Sequence, residues 1–212
     1  MSMPEDKTPL IGLAGGVASG KSLIAEQLRR VGAAVISADK LAHEVLKYEE
    51  VKREARRRWG DGIFNADGQI DRVALAKIVF GPPPDGPREL EILEQLTHPE
   101  VGRLAREEIE RLNREKACAA IVLDVPLLIE AGWNKFCDKI IFVDAPLQTR
   151  MKRALARGWT EDDFARREAR QESLETKRGL ADVVIDNSGS VESTQAQIEQ
   201  FLQSLAGSSL AP

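Results

Sequence analysis

The sequence predicts an α/β fold of three layers, with a five-stranded parallel sheet flanked by helices. Two observations predict it. Five short apolar runs have the composition of strands that are buried on both faces, and helical patterns separate these runs along the chain. The runs cover residues 10–14, 33–37, 119–125, 139–144 and 182–186.

The first run leads directly into a glycine-rich loop. Residues 15–22 read Gly-Gly-Val-Ala-Ser-Gly-Lys-Ser and fit the phosphate-binding pattern G-x-x-x-x-G-K-[ST] in full. Apolar residues then recur at helical spacing from Leu23 to Val31, and Gly32 is placed to end that helix. Glycines let backbone N–H groups approach phosphate oxygens, and the positive end of the helix dipole faces them. The pattern therefore predicts that the chain binds a nucleoside triphosphate.

Two side chains of this loop have predicted chemical tasks. We expect Lys21 to reach the β- and γ-phosphates and the Ser22 hydroxyl to ligate Mg²⁺. The residues predicted to bind the nucleotide are Gly16, Val17, Ala18, Ser19, Gly20, Lys21, Ser22 and Leu23.

Composition excludes several other classes of protein. A formal net charge of −4 over 212 residues argues against a non-specific nucleic-acid binder. Cys118 and Cys137 form no ligand-spaced or redox pair, and no apolar run approaches the roughly 20 residues that cross a bilayer. The first residues resemble no secretion signal. We therefore expect a soluble cytoplasmic protein, without nucleic-acid or membrane partners, that is a monomer or a weak homo-oligomer.

Two acidic residues follow predicted strands, where ligands of open α/β sheets bind. Asp39 comes just after the second run, and a carboxylate there can accept a proton from a hydroxyl that awaits phosphoryl transfer. It can equally be the N-cap of a helix that begins near Leu41. Asp124 ends the third run, either as a Walker B acid or as an acid that simply closes a strand. Both alternatives remain open for each residue.

Residues 150–170 are rich in arginine. Arg150, Arg153 and Arg157 share one helical face, and Thr160 begins a second helix with a capping-box pattern. Two arginine-faced helices around the turn at Gly158 predict a lid that closes over ATP, with Arg153 and Arg157 as the catalytic residues. The alternative is a solvated charged face. In that case the arginines pair with the neighbouring acids Glu161, Asp162 and Glu168.

The gap between the second and third runs predicts a helical insertion. Residues 81–87 read Gly-Pro-Pro-Pro-Asp-Gly-Pro, which predicts an exposed loop without helix. His98 precedes Pro99, so we expect its backbone to be extended at a helix boundary. After the last run, Asn187 opens a polar loop that either contacts adenine or is an ordinary turn.

Taken in order, these residues resemble the dephospho-CoA kinase family from about Leu10 to Gly189. The resemblance departs from the family pattern at Arg150, where the family usually has Gln, and in a longer loop at 81–87. The segments that carry it are the loop at 11–22, Ser37-Ala38-Asp39, Asp67-Gly68-Gln69-Ile70-Asp71-Arg72, Thr97-His98-Pro99, Pro126-Leu127-Leu128-x-Glu130, Arg153, Arg157, Gln171 and Asp186-Asn187.

The resemblance implies a P-loop kinase that uses ATP and Mg²⁺ to phosphorylate the ribose 3′-hydroxyl of dephospho-CoA. The products are CoA and ADP, in the final step of coenzyme A biosynthesis. The implied catalytic residues are Asp39, Lys21, Arg153 and Arg157, and Asn187 is implied in nucleotide binding. The implied acceptor site consists of Asp39, His98, Pro126, Leu127, Leu128 and Glu130.

We expect one kinase unit. Its core covers about residues 8–45, 117–148 and 180–206, with a helical acceptor-binding insertion at about 46–116 and a lid at about 149–179. Two other functions remain open. One is a small-molecule kinase for a nucleoside or nucleotide. The other is a nucleotide-dependent switch, although Asn134-Lys135-Phe136-Cys137 lacks the acid of the guanine-binding pattern N/T-K-x-D.

Overall fold

Five parallel strands form one sheet in the order β2-β3-β1-β4-β5. The structure is a computed structural model that describes residues 7–208. The five predicted runs are all strands, with bounds that differ from the prediction by two residues or fewer, so the predicted fold class is confirmed. The strands are β1 Leu10–Gly15, β2 Ala34–Ser37, β3 Ile121–Asp124, β4 Lys139–Asp144 and β5 Val183–Asp186.

Residues 7–208 contain nine α-helices, together with short 3₁₀ segments at Asp61–Ile63 and Trp133–Phe136. Their bounds are α1 Lys21–Arg30, α2 Ala38–Val45, α3 Glu49–Trp59, α4 Arg72–Val79, α5 Asp85–Glu115, α6 Leu147–Ala156, α7 Glu161–Ala169, α8 Leu174–Gly179 and α9 Val191–Ser208. No helix in this part of the chain is both long enough and apolar enough to cross a bilayer.

Alternate residues of the central strand β1 point to opposite faces of the sheet, and every residue of this strand is buried. Ile11 and Leu13 of β1 join the core formed with α1 and α9. Gly12 points the other way, where a Cβ atom would lie 2.7 Å from Leu128 Cδ2 and 2.8 Å from Cys137 Sγ. The segment that follows β3 therefore packs directly on the backbone of β1, and only glycine leaves room for it.

The chain divides into two compact units, residues 38–108 and the remainder, which contains the sheet. In the first unit the helices enclose two apolar clusters, one around Val45, Val51 and Val101 and one around Ala55 and Ile63. The polypeptide has no strand there beyond one isolated bridge between Phe64 and Ile70. The prediction of helices in this region is confirmed.

Two local predictions in this unit are wrong. Helix α5 begins at Asp85, so the last three residues of the predicted loop at 81–87 are helical. Pro87 is tolerated because the first turn of a helix has no internal partner for its N–H groups.

His98 is also helical, because α5 continues through Pro99 without ending. Val101 and Ala105 on the same helix are buried, at 5% and 2% exposure, and their burial offsets the loss of the hydrogen bond that proline removes.

Candidate active site

The glycine-rich loop between β1 and α1 forms a concave row of backbone N–H groups. Ala18 and Gly20 have left-handed backbones, with φ of 57° and 103°. Within the described residues, the amides of Val17, Ala18 and Gly20 have no hydrogen-bond partner. Successive free amides in such a conformation form a nest for an anion. The first turn of α1 contains no acidic residue, so the positive end of its dipole is not compensated there.

Lys21 and Ser22 lie at the start of α1, beside this nest. Lys21 Nζ donates to the carbonyl of Gly15 at 3.1 Å and to that of Gly16 at 3.5 Å, which holds the ammonium group against the loop. The Ser22 hydroxyl is exposed and has no partner among the described residues. The donors fit the phosphates of a nucleotide, and the free hydroxyl fits an oxygen-preferring cation such as Mg²⁺.

Two side chains hold the loop from the side of β5. The Asn187 amide donates to the Ser19 carbonyl at 2.8 Å, and Arg153 donates to that same carbonyl at 2.9 Å and to the Asn187 carbonyl at 2.8 Å. Asn187 is 2% exposed, and its oxygen accepts from Thr194 at 3.3 Å. A Cβ on Gly20 would lie 2.1 Å from Asn187 Nδ2. The Asn187 side chain thus shapes the loop, and its contact with adenine stays a prediction.

Helices α6 and α7, the predicted lid, also pack against the loop. Phe164 of α7 lies in a small apolar cluster with Val17. Arg150 of α6 is buried, donates to the carbonyls of Ala145 and Val17, and forms an ion pair with Glu168 of α7. The Arg157 side chain at the end of α6 is exposed and has no partner among the described residues.

The segment after β3 is attached to α8 by a buried ion pair that the sequence did not predict. Lys177 is 2% exposed and donates to Glu130 at 2.8 Å and to Gln171 at 2.8 Å. Glu130 also accepts from the Glu172 amide at 2.8 Å. Burial would raise the pKa of Glu130, but the hydrogen bonds from Lys177 and from the backbone outweigh it and lower that pKa. No local pattern signals this contact, because the partners are far apart in sequence.

The other side chains of the segment after β3 differ in exposure. Leu128 is 2% exposed and packs on Gly12, whereas Pro126 is exposed and Leu127 is half-buried. A role of these residues and of Glu130 in acceptor binding stays a prediction.

The remaining predicted residues lie in the unit 38–108. Asp39 is in the first turn of α2, where its exposed side chain makes no hydrogen bond or ion pair with the described residues. His43 follows one turn later. Burial and the nearby Arg72 lower its pKa, although the Asp39 carboxylate acts in the opposite direction. His98 is exposed on α5. The catalytic and acceptor-binding roles of Asp39 and His98 stay predictions.

A parallel sheet of this strand order, with a glycine-rich loop between its central strand and α1, is the fold of the P-loop kinases. The sequence model of the dephospho-CoA kinase family, CoaE, matches residues 9–193. The chain belongs to the dephospho-CoA kinase family.

Individual relatives agree with this assignment. A dephospho-CoA kinase of Carboxydothermus hydrogenoformans is 43% identical over 201 residues, which covers 92% of this chain and 93% of that protein. Among solved structures, a Thermus thermophilus protein is 34% identical with a TM-score of 0.74 and covers 97% of this chain and 100% of its own. The dephospho-CoA kinase from Campylobacter jejuni is 25% identical with a TM-score of 0.65 and covers 92% and 96%.

Proposed function

We propose that this kinase transfers the γ-phosphoryl group of ATP to the ribose 3′-hydroxyl of dephospho-CoA, which yields CoA and ADP in the last step of coenzyme A synthesis. The observation that carries the proposal is the row of unpaired loop amides beside Lys21, in a chain that belongs to this family. The amides and Lys21 bind the β- and γ-phosphates, with the backbone from Gly16 to Leu23 around them.

Ser22 would hold the Mg²⁺ ion, which would supply positive charge to neutralise the phosphates of the nucleotide. The exposed, unpaired hydroxyl supports this role. Asn187 lies beside the nucleotide at the end of β5 in this proposal.

In the transfer step, the 3′-oxygen forms a bond to the γ-phosphorus as the bond from that phosphorus to the ADP oxygen breaks. Asp39 orients the 3′-hydroxyl and accepts its proton, and Arg153 and Arg157 stabilise the charge on the transferring group. The acceptor is held by His98, by Pro126, Leu127 and Leu128, and by Glu130. The lid and the insertion at about 46–116 belong to the same kinase unit.

The test is ADP release from ATP and Mg²⁺ by the purified chain, with and without dephospho-CoA, with the product checked by mass for one added phosphate. We expect strong stimulation by dephospho-CoA and little by AMP or shikimate. Lys21→Met is the inactive control. An ATP-binding protein that dephospho-CoA does not stimulate would refute the proposed acceptor.

A second experiment tests the assigned base. We expect Asp39→Asn to lower turnover by roughly 100-fold or more, because the carboxylate no longer accepts the hydroxyl proton. Turnover near that of the parent chain, with an unchanged pH profile, would contradict this role.

We propose a cytoplasmic enzyme that acts on a small molecule without nucleic-acid or membrane partners, as a monomer or a weak homo-oligomer.

A further inference from the structure

An ion pair between α6 and α7 lies directly against the phosphate loop. One nitrogen of Arg150, Nη1, donates both to the Val17 carbonyl, at 3.4 Å, and to Glu168. The Arg150 side chain is 4% exposed and that of Glu168 is 31% exposed. A negative carboxylate and a loop carbonyl therefore share the same donor atom.

The guanidinium is held at this position by contacts that do not depend on Glu168. Its Nε donates to the Ala145 carbonyl at 3.2 Å, and its carbon lies 5.5 Å from the centre of the Phe164 ring. A Cβ at Gly16 would lie 2.9 Å from Arg150 Nη1. The glycine thus leaves the room in which the cation touches the backbone of the loop.

A carboxylate in this place disfavours the binding of a polyphosphate unless a cation neutralises it. Charges on neighbouring groups near a protein surface interact substantially, since the effective dielectric constant there is well below that of water. We infer that Arg150 is a positioning residue for ATP, which holds the Val17 segment of the phosphate loop and neutralises Glu168 beside it. Glu168 in turn anchors α7 to the loop at the cost of some ATP affinity.

This inference rests on the proposed use of ATP at the loop, and it predicts a pattern that a purely structural role does not. Removing the cation exposes the phosphates to Glu168, so Arg150→Gln weakens MgATP binding about tenfold. Adding Glu168→Gln to this variant removes the repulsion and restores most of the lost MgATP affinity. Glu168→Gln alone leaves Arg150 in place without its counter-ion, so its ATP affinity equals or exceeds that of the parent.

The experiment is isothermal titration of the full chain with MgATP, without acceptor, in low salt and again in about 0.5 M KCl. At the higher salt concentration the loss of MgATP affinity in Arg150→Gln shrinks to about threefold, because salt screens charges. Lys152→Gln is the matched control. It removes one positive charge from an exposed position on the same helix, and it binds MgATP like the parent. Thermal unfolding of each variant accompanies the titrations.

Three results would overturn the inference: parent-like affinity in Arg150→Gln, a double variant no better than Arg150→Gln, or Glu168→Gln that binds ATP at least about threefold more weakly than the parent. The last test still applies if Arg150→Gln does not fold. A parent chain that binds no MgATP would instead refute the proposed function. The titrations contain no acceptor, so a chain that binds MgATP but does not phosphorylate dephospho-CoA would refute the proposed acceptor and leave this inference standing.

Discussion

Replacing Lys177 by Met is expected to destabilise the chain strongly, because it leaves Glu130 as a buried carboxylate without its cation. The side chains of Lys177 and Glu130 are 2% and 16% exposed, so water replaces little of the lost interaction. Loss of one partner of a buried pair costs about 3–5 kcal/mol, and the remaining bond from the Glu172 amide places this variant near the lower end, at about 3 kcal/mol. In a chain of this size that lowers the melting temperature by roughly 6–12 °C.

The same argument predicts the pH dependence of the loss. In the parent, the hydrogen bonds lower the folded-state pKa of Glu130, so its contribution is present above the ordinary pKa of glutamate and is lost as the pH falls through the folded value. Without Lys177, burial is no longer outweighed and the pKa rises. The folded variant then binds a proton more tightly than the unfolded chain does. Its free energy of unfolding therefore comes closer to that of the parent as the pH falls to about 5.

The assay is urea unfolding followed by tryptophan fluorescence at about pH 7.5 and pH 5. The matched control is Lys47→Met, which breaks the exposed Lys47–Glu44 pair and costs at most about 1 kcal/mol. The variant Lys177→Met/Glu130→Gln recovers part of the stability, since no charge is then left buried. A loss in Lys177→Met no larger than in the control, or one that is equal at both pH values, would refute this account of the pair.

Three further predictions concern the phosphate loop, the end of α6 and the start of α4. Gly20→Ala weakens MgATP binding at least roughly tenfold in a binding titration, because the new Cβ displaces the Asn187 amide from Ser19; unchanged affinity would contradict this brace. Arg157→Gln lowers kcat by up to about 10³-fold with little change in the KM for ATP, and steady-state kinetics that show only a KM effect would exclude it as the charge-stabilising group. Asp71→Ala removes the side chain that caps α4 and costs about 1 kcal/mol in urea unfolding, whereas Asp71→Asn keeps the cap; equal losses in both variants would argue against capping.

The sequence predicted the elements whose signals are local. The phosphate loop is a contiguous pattern, and the strands are short apolar runs, so residues close in sequence carry both. The path of α5 through Pro99 was not predictable in this way, because packing of residues such as Val101 overrides the local preference of the residue before a proline. The Lys177–Glu130 pair was missed for a related reason, since only the folded sheet brings the segment after β3 to α8.

The arginines of α6 show how one sequence pattern divides into three environments. The spacing of Arg150, Arg153 and Arg157 predicts that they share one helical face, but the three side chains differ in the contacts that they make. Arg150 is buried in an ion pair, and Arg153 is bound to two backbone carbonyls. Both therefore need to give up existing contacts before they can follow a moving phosphoryl group. Arg157 has no partner among the described residues, so it alone of the three reaches a new charge without such a loss, which makes it the better candidate for stabilising the transition state.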